Sequence, residues 1–92
     1  MKASVIQVHD DGFGGWAHGT VWAGGFGYGF ETKHFEVGSQ FGIDGGKVSK
    51  LRVVGLADGR EICAYDRCWC VRPDSARRED IAAYNAILKR YN

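Results

Sequence analysis

Ninety-two residues, of which 45% are hydrophobic and only one is proline, are enough for one folded domain with a single hydrophobic core. The net charge of +1 excludes a strongly basic nucleic-acid-binding arm, and it equally excludes an acidic, DNA-mimicking surface over the whole molecule. The charges are uneven, because residues 1–46 carry two lysines against five acids while residues 47–92 carry ten lysines and arginines against six acids.

The N-terminal half predicts three β-strands. Ala3–Val8 is the first, before the polar turn signal of His9–Gly12, and Thr20–Ala23 is the second. The third begins in Gly25–Phe30, where glycine alternates with aromatic residues, and it extends to Val37. This alternation places all three rings on one face of the strand, where they pack in the core or stack on a base or a partner.

A loop and three further strands are predicted downstream. Residues 38–47 form a glycine-punctuated loop, and Lys47–Leu56 alternates between two faces as a strand. Asp58-Gly59 is a strong signal for a type I′ hairpin turn, which requires positive φ at both central positions. The return strand is Arg60–Tyr65, and pairing resumes at Trp69–Val71.

The C-terminal segment has helical periodicity. After Pro73, either Asp74 or Ser75 is in position to cap the helix, and Lys89 and Arg90 in the last turn match the helix dipole. The apolar stripe expected to pack on the sheet consists of Ile81, Tyr84, Ile87, Leu88 and Tyr91. The chain is therefore predicted to be a single α+β domain over residues 1–92, an antiparallel β-sheet of five or six strands with one C-terminal α-helix packed on one face.

No arrangement of residues in the sequence favours catalysis or metal binding. The three histidines are scattered, and no serine or cysteine has the context of an activated nucleophile. The spacing of Cys63, Cys68 and Cys70 is not that of a zinc finger or zinc ribbon, and three cysteines cannot form two disulfides. We expect a protein that is not an enzyme, binds no metal or cofactor, and keeps free thiols.

The expected compartment follows from what the sequence lacks. No apolar run approaches the roughly 20 residues of a membrane-spanning helix. The N-terminus MKASVIQVHDD has no signal-peptide pattern. We expect a cytoplasmic protein without membrane contacts, present as a monomer or a small homo-oligomer.

Three stretches of the chain carry a resemblance to known proteins. They are F-G-I-x-G-G-K-V-S-K-L at 41–51, Tyr65-Asp66-Arg67-x-Trp69, and Ala83-Tyr84-Asn85-x-Ile87-Leu88. Over residues 16–91 the chain resembles a family of small uncharacterised phage and prophage proteins, in which glycine usually stands at the position of Cys68. Phage proteins of this size are often accessory factors that block host machinery, as anti-CRISPR proteins do. The resemblance implies a non-catalytic inhibitor in the cytoplasm of a bacterial host, whose partner is a host protein complex such as a CRISPR–Cas effector subunit.

Aromatic and acidic residues near the predicted turns are the candidate contacts for such a partner. Aromatic side chains anchor protein interfaces, and acids fit a basic groove. The candidates are Asp10, Asp11, Trp16, Trp22, Tyr28 and Glu31.

A nucleic-acid or nucleotide-binding module is the alternative function. It would use the basic C-terminal half, and its affinity would fall steeply with salt as counterion release weakens. The candidate residues are Lys47, Lys50, Arg52, Tyr65, Arg67, Trp69 and Arg72. Within this segment, Asp66 and Arg67 also have a structural interpretation, as an ion pair that ties the last strand to the start of the helix.

Overall fold

The computed structural model describes residues 3–10 and 15–92, and within them the chain forms six β-strands and one α-helix. The strands are β1 (Ala3–Asp10), β2 (Trp16–Ala23), β3 (Phe26–His34), β4 (Val48–Gly55), β5 (Glu61–Asp66) and β6 (Trp69–Val71), and the helix is α1 (Arg78–Tyr91). The strands pair in chain order as one antiparallel sheet. The predicted α+β architecture is confirmed.

The helix α1 packs on one face of the sheet, and the alternation within each strand decides which side chains it covers. In β4, Leu51 and Val53 are buried in the core, while Lys50 and Arg52 point away from it. Ile87 from α1 is fully buried against this apolar side. We call this side the helix face and the opposite side the open face, which carries Trp16, Trp22, Glu31, Lys33, Lys50 and Arg52.

The glycine-aromatic strand β3 contributes differently to the two faces. Tyr28 and Phe30 are 3% and 4% exposed in the core, whereas Phe26, at the start of the strand, is 56% exposed. Gly27 and Gly29 lie opposite open-face residues of β2. The rings therefore share one face as predicted, but only two of the three are core residues.

A partly buried ion pair connects α1 to the sheet. Asp80, which is 2% exposed, accepts hydrogen bonds from the Tyr28 hydroxyl at 2.8 Å and from Arg60 Nη2 at 3.0 and 3.2 Å. The sequence interpretation gave this role to the Asp66–Arg67 pair, but Asp66 Oδ1 lies 3.8 Å from Lys50 Nζ on the open face. The helix is thus held by residues from β3 and from the end of the β4–β5 loop.

The helix begins later than the sequence predicts. Asp74 Oδ1 accepts the backbone N–H of Ala76 at 2.9 Å, which forms a local turn instead of a helix cap. Arg77 is the N-cap residue, with extended backbone (φ −98°, ψ 100°), and α1 starts at Arg78. The prediction of a start at Asp74 or Ser75 was wrong because the aspartate side chain stabilises the turn before the helix.

The β4–β5 connection also differs from the predicted two-residue turn. The strands end at Gly55 and resume at Glu61, and of Asp58-Gly59 the glycine alone has positive φ, at 68°. Asp58 Oδ1 accepts the Arg60 backbone N–H at 3.0 Å, and the Gly59 N–H bonds to the Gly55 carbonyl at 2.9 Å. The result is a wider loop.

The buried side of α1 is shifted from the predicted stripe. Its buried residues are Asp80, Ala83, Ile87 and Tyr91. Ile87 and Tyr91 confirm the stripe, while the predicted Ile81, Tyr84 and Leu88 are only partly buried. Among the described residues, no helix combines the length and apolar character that crossing a membrane requires.

Candidate functional site

Charged side chains on the open face pair across neighbouring strands. Arg52 Nε donates to Glu61 Oε2 at 3.2 Å, and Lys50 Nζ lies 3.8 Å from Asp66 Oδ1. All four side chains are at least 37% exposed. Exposed pairs of this kind contribute about 0–1 kcal/mol each. They therefore do little to hold the fold, but they mix both signs of charge over the surface.

At one end of the open face, Trp16 lies beneath two lysines. Lys33 Nζ is 5.8 Å and Lys50 Nζ 5.9 Å from the centre of the indole, within the range of a cation–π contact. Glu31 lies on the same face, opposite Arg52 in the β3–β4 register. Two of the predicted contact residues, Trp16 and Glu31, thus belong to one surface.

An apolar patch lies at the other end of the sheet, where Trp22 and Leu56 of the open face and Phe26, the first residue of β3, are 44%, 55% and 56% exposed. Trp22 is opposite Gly27 in the β2–β3 register. A Cβ atom at Gly27 would be 3.0 Å from Leu56 Cδ1 and 3.2 Å from the Trp22 ring, so both side chains lie over the bare glycine. We call these three residues the Trp22 patch. Clustered exposed apolar side chains are typical of contact surfaces.

The titratable groups near the open face are dispersed. The His9 and His18 rings stack at 5.1 Å on neighbouring strands. Within the described ranges there is no group of three or more His, Cys, Asp or Glu side chains that could hold a metal ion. Cys63 is fully buried, and burial raises its pKa to about 12, while Cys70 is exposed. The open face therefore presents rings and paired charges, which suit contact with another molecule.

Three of the six predicted partner contacts lie together on the open face, namely Trp16, Trp22 and Glu31. Tyr28 does not join them, since it is buried on the helix face and donates to Asp80. Burial, reinforced by that hydrogen bond, raises the pKa of the Tyr28 hydroxyl. Asp10 is the last residue of β1, and Asp11 lies outside the described residues.

The structure separates the aromatic from the basic residues of the predicted nucleic-acid site. Lys50 and Arg52 lie on the open face, but Tyr65 is 7% exposed on the helix face. Its hydroxyl donates to the Phe41 carbonyl at 2.8 Å, and Trp69 packs against its ring at 5.0 Å. The structure therefore does not bring Tyr65 and Trp69 together with these two cations.

The remaining basic candidates lie on the periphery. The Arg67 guanidinium is 5.9 Å from the Phe41 ring, and the Arg72 guanidinium is 5.3 Å from the Trp69 ring. Lys47 is exposed just before β4. Arg67 and Arg72 thus lie beside rings that Lys50 and Arg52 do not contact, and the structure does not gather the basic candidates around one aromatic surface.

Two residues of the surface were missed by the sequence reasoning. Leu56 continues the alternation of Lys50, Arg52 and Val54 one step beyond β4. Lys33 occupies the same face of β3 as Glu31. Following the alternation of the predicted strand Lys47–Leu56 to its last residue would have identified Leu56, and pairing β3 with β4 would have identified Lys33.

Comparisons with known proteins place the chain in a family without showing what it does. No curated protein and no solved structure matches the chain. A family model matches residues 15–92, which include every strand from β2 onward and α1. The chain therefore belongs to the family described as Domain of unknown function (DUF7678).

Proposed function

We propose that this chain is a non-catalytic binding protein that contacts a partner protein through the open face of its sheet. The observation that carries the proposal is that α1 covers only one face, while the other presents Trp16, Trp22 and Leu56 among charged side chains. Tryptophan and arginine are enriched in protein interfaces, and large exposed apolar side chains are their usual anchors.

The charge pattern favours a protein over a nucleic acid as the partner. Between β3 and β5 the open face carries Lys33, Lys50 and Arg52 together with Glu31, Glu61 and Asp66. A nucleic acid presents a uniform line of phosphates and is bound by surfaces with excess positive charge. A balanced, cross-paired surface is complementary to another protein surface of mixed charge.

The narrower form of the proposal concerns the class of partner. Supported by the resemblance to phage and prophage proteins, we place the chain among accessory proteins that inhibit a host defence complex of the anti-CRISPR type. Such a protein acts by covering a functional surface, for example the DNA path of a Cas subunit. It needs no reacting group, and it acts in the cytoplasm of the bacterial host.

Affinity capture from a bacterial host lysate tests the proposal. The proteins captured by the natural chain are compared with those captured by two matched variants. The tagged protein is incubated with untreated lysate at low salt, and the capture is repeated after nuclease treatment and at raised salt. Trp22→Ser removes the centre of the apolar patch, whereas Phe41→Ser removes a ring of similar exposure, 48% against 44%, outside the open face. We expect a stoichiometric protein partner that Phe41→Ser retains and Trp22→Ser loses.

Two results would contradict the proposal. The first is capture of nucleic acid alone, lost at high salt, which would favour the basic C-terminal half as a nucleic-acid-binding surface. The second is a protein partner retained by Trp22→Ser and lost by Phe41→Ser, which would place the interface elsewhere. The narrower form predicts that expressing the chain protects a targeted plasmid from CRISPR interference and that Trp22→Ser abolishes this protection.

A further inference from the structure

A groove opens at the end of the sheet where the β2–β3 turn faces the β4–β5 loop. It has a volume of about 420 Å³. Ligand sites in proteins commonly measure ~300–1,000 Å³. Its apolar walls are the three residues of the Trp22 patch, so it adjoins the open face at that end.

Glycine residues make this groove possible. Gly25, in the turn, has φ +84°, and a Cβ built there would meet nothing within 4 Å, so the turn leaves open space at the mouth. Gly27 and Gly55 also line the groove, and their missing side chains allow Trp22 and Leu56 to lie over Gly27 and Asp58 to lie over Gly55. The apolar walls are consequently accessible to a ring or branched chain, although 44% to 56% of each remains exposed to water without an occupant.

Two arginines lie at the rim, and they differ in what they already bind. Arg60 is held in place because its Nη2 donates to the Asp80 carboxylate at 3.0 and 3.2 Å. The Arg77 guanidinium lies 3.8 Å from Asp74 Oδ2, too far for a hydrogen bond, and its side chain is 56% exposed. Arg77 therefore has only an exposed ion pair with Asp74 and no hydrogen bond from its guanidinium among the described residues, and its planar fork of N–H donors matches a carboxylate.

The acidic residue in the lining is already engaged. Asp58 accepts the Arg60 backbone N–H at 3.0 Å through Oδ1, and its Oδ2 lies 3.9 Å from Arg60 Nε. Glu79 and Asp80 line a smaller adjoining cavity, where Asp80 is bound to Arg60 and Tyr28. Of the two arginines at the rim, Arg77 is the one whose guanidinium makes no hydrogen bond and is therefore available to an occupant of the larger groove.

We propose that this groove binds an apolar side chain that stands next to a carboxylate, presented by a segment of the partner protein. The ring or branched chain packs against the Trp22 patch, and the carboxylate accepts hydrogen bonds from the Arg77 guanidinium. The identity of the occupant as part of a protein rests on the proposed function, but the chemistry of the groove does not. A small molecule with the same two groups is therefore a direct probe.

Phenylpropionate and its neutral amide, phenylpropionamide, test the chemistry in a heteronuclear NMR titration of the intact protein. The acid is expected to shift the signals of Trp22, Gly25, Gly27 and Leu56, with the amide shifting them less. Arg77→Gln is expected to weaken binding of the acid about threefold, as for an exposed charge pair, and to leave binding of the amide unchanged. Arg78→Gln is the matched control, because Arg78 is exposed, carries the same charge and does not line the groove.

Equal affinity for acid and amide, shifts confined to other parts of the molecule, or equal effects of Arg77→Gln and Arg78→Gln would each overturn the inference. None of these results changes what the capture experiment with Trp22→Ser and Phe41→Ser measures, so the proposed function would not be contradicted by them. Conversely, if capture fails while the acid binds with the expected difference between the arginine variants, the proposed function is wrong and the groove chemistry remains.

Discussion

The Asp80 side chain connects the helix to the sheet through hydrogen bonds. Asp80→Ala leaves the buried Tyr28 hydroxyl and the Arg60 guanidinium without their acceptor. We expect the free energy of unfolding to fall by about 3 kcal/mol, since the buried Tyr28 hydroxyl loses its acceptor and the part-buried Arg60 guanidinium loses its counter-charge. Tyr28→Phe, which keeps the ion pair, should cost about 1 kcal/mol. Urea unfolding measures both.

Glu79→Ala is the matched control for Asp80→Ala, because Glu79 is the neighbouring acid in the same helical turn. It should cost only about 0.5 kcal/mol through the helix dipole. Equal costs for Glu79→Ala and Asp80→Ala would show that charge near the helix terminus, and not the buried network, stabilises the fold.

The buried thiol of Cys63 makes the free energy of unfolding depend on pH in the alkaline range. Burial raises its pKa from 9.0 to about 12, so the thiol ionises more easily in the unfolded chain than in the folded one. The stabilisation is complete below pH 9 and is lost as the pH rises towards 12. Burial of Tyr84, whose pKa is raised from 10.0 to about 12, acts in the same direction.

Unfolding free energies measured at several values between pH 8 and pH 11 test this linkage through their slope. We expect stability to decline above pH 9 in the natural chain and in Cys70→Ala, whose thiol is exposed. Cys63→Ala should be less stable at neutral pH because of the cavity it leaves, but its decline with pH should be shallower. Identical slopes in Cys63→Ala and Cys70→Ala would exclude the buried thiol as a cause.

At the scale of elements, the end of α1 is joined to the loop before β4 by one side chain. Asn92 Oδ1 accepts the Val48 N–H at 3.0 Å, and its Nδ2 donates to the Ile43 carbonyl at 3.2 Å. Asn92→Ala should lower the free energy of unfolding by about 2 kcal/mol, because it leaves a part-buried backbone N–H without its acceptor. Asn85→Ala, on the exposed side of the same helix, is the control and should cost less than about 0.5 kcal/mol.

The Asn92 side chain also lies against Gly46, where a Cβ atom would overlap it. We therefore expect the effects of substitutions at Gly46 and Asn92 to depend on each other. Gly46→Ala should be destabilising alone, by no more than Asn92→Ala because it displaces the Asn92 side chain from its two hydrogen bonds, and clearly less so in the Asn92→Ala background. Additive effects in this double-mutant cycle would mean that the two residues do not share the contact.

Much of the element order was predictable because it depends on local pattern. In β4 the alternation of Lys50, Leu51 and Arg52 already assigns each side chain to a face. The helix start was not predictable in the same way, since Asp74 is an equally good residue for a turn and for a cap.

The candidate site was predictable only in part, because some of its contacts join residues that are far apart in the sequence. Trp16, Trp22 and Glu31 were predicted as aromatic and acidic residues near turns, but the link from Arg60 to Asp80 joins positions 20 residues apart and exists only once α1 docks. Without that docking, nothing in the sequence separates Tyr28, which is buried, from Trp22, which remains exposed. Covering one face of the sheet is a tertiary event, and local propensity does not encode which face it will be.

In the whole molecule, one face of the sheet stabilises the fold and the other is available for binding. This difference predicts which substitutions lower stability and which lower affinity for the partner. The helix face contains the core, where Ile87 is 0% exposed, and Ile87→Ala should cost about 3 kcal/mol by opening a cavity. On the open face, Trp22 and Leu56 remain 44% and 55% exposed, so Trp22→Ser and Leu56→Ser should each change stability by less than about 1 kcal/mol. Urea unfolding gives the stability of each variant, and capture from the host lysate gives its binding. We expect the two serine variants to stay folded and lose the partner, and Ile87→Ala to lose stability while its remaining folded fraction still binds. A large loss of stability in both serine variants would show that the Trp22 patch belongs to the core and that the open face is not reserved for a partner.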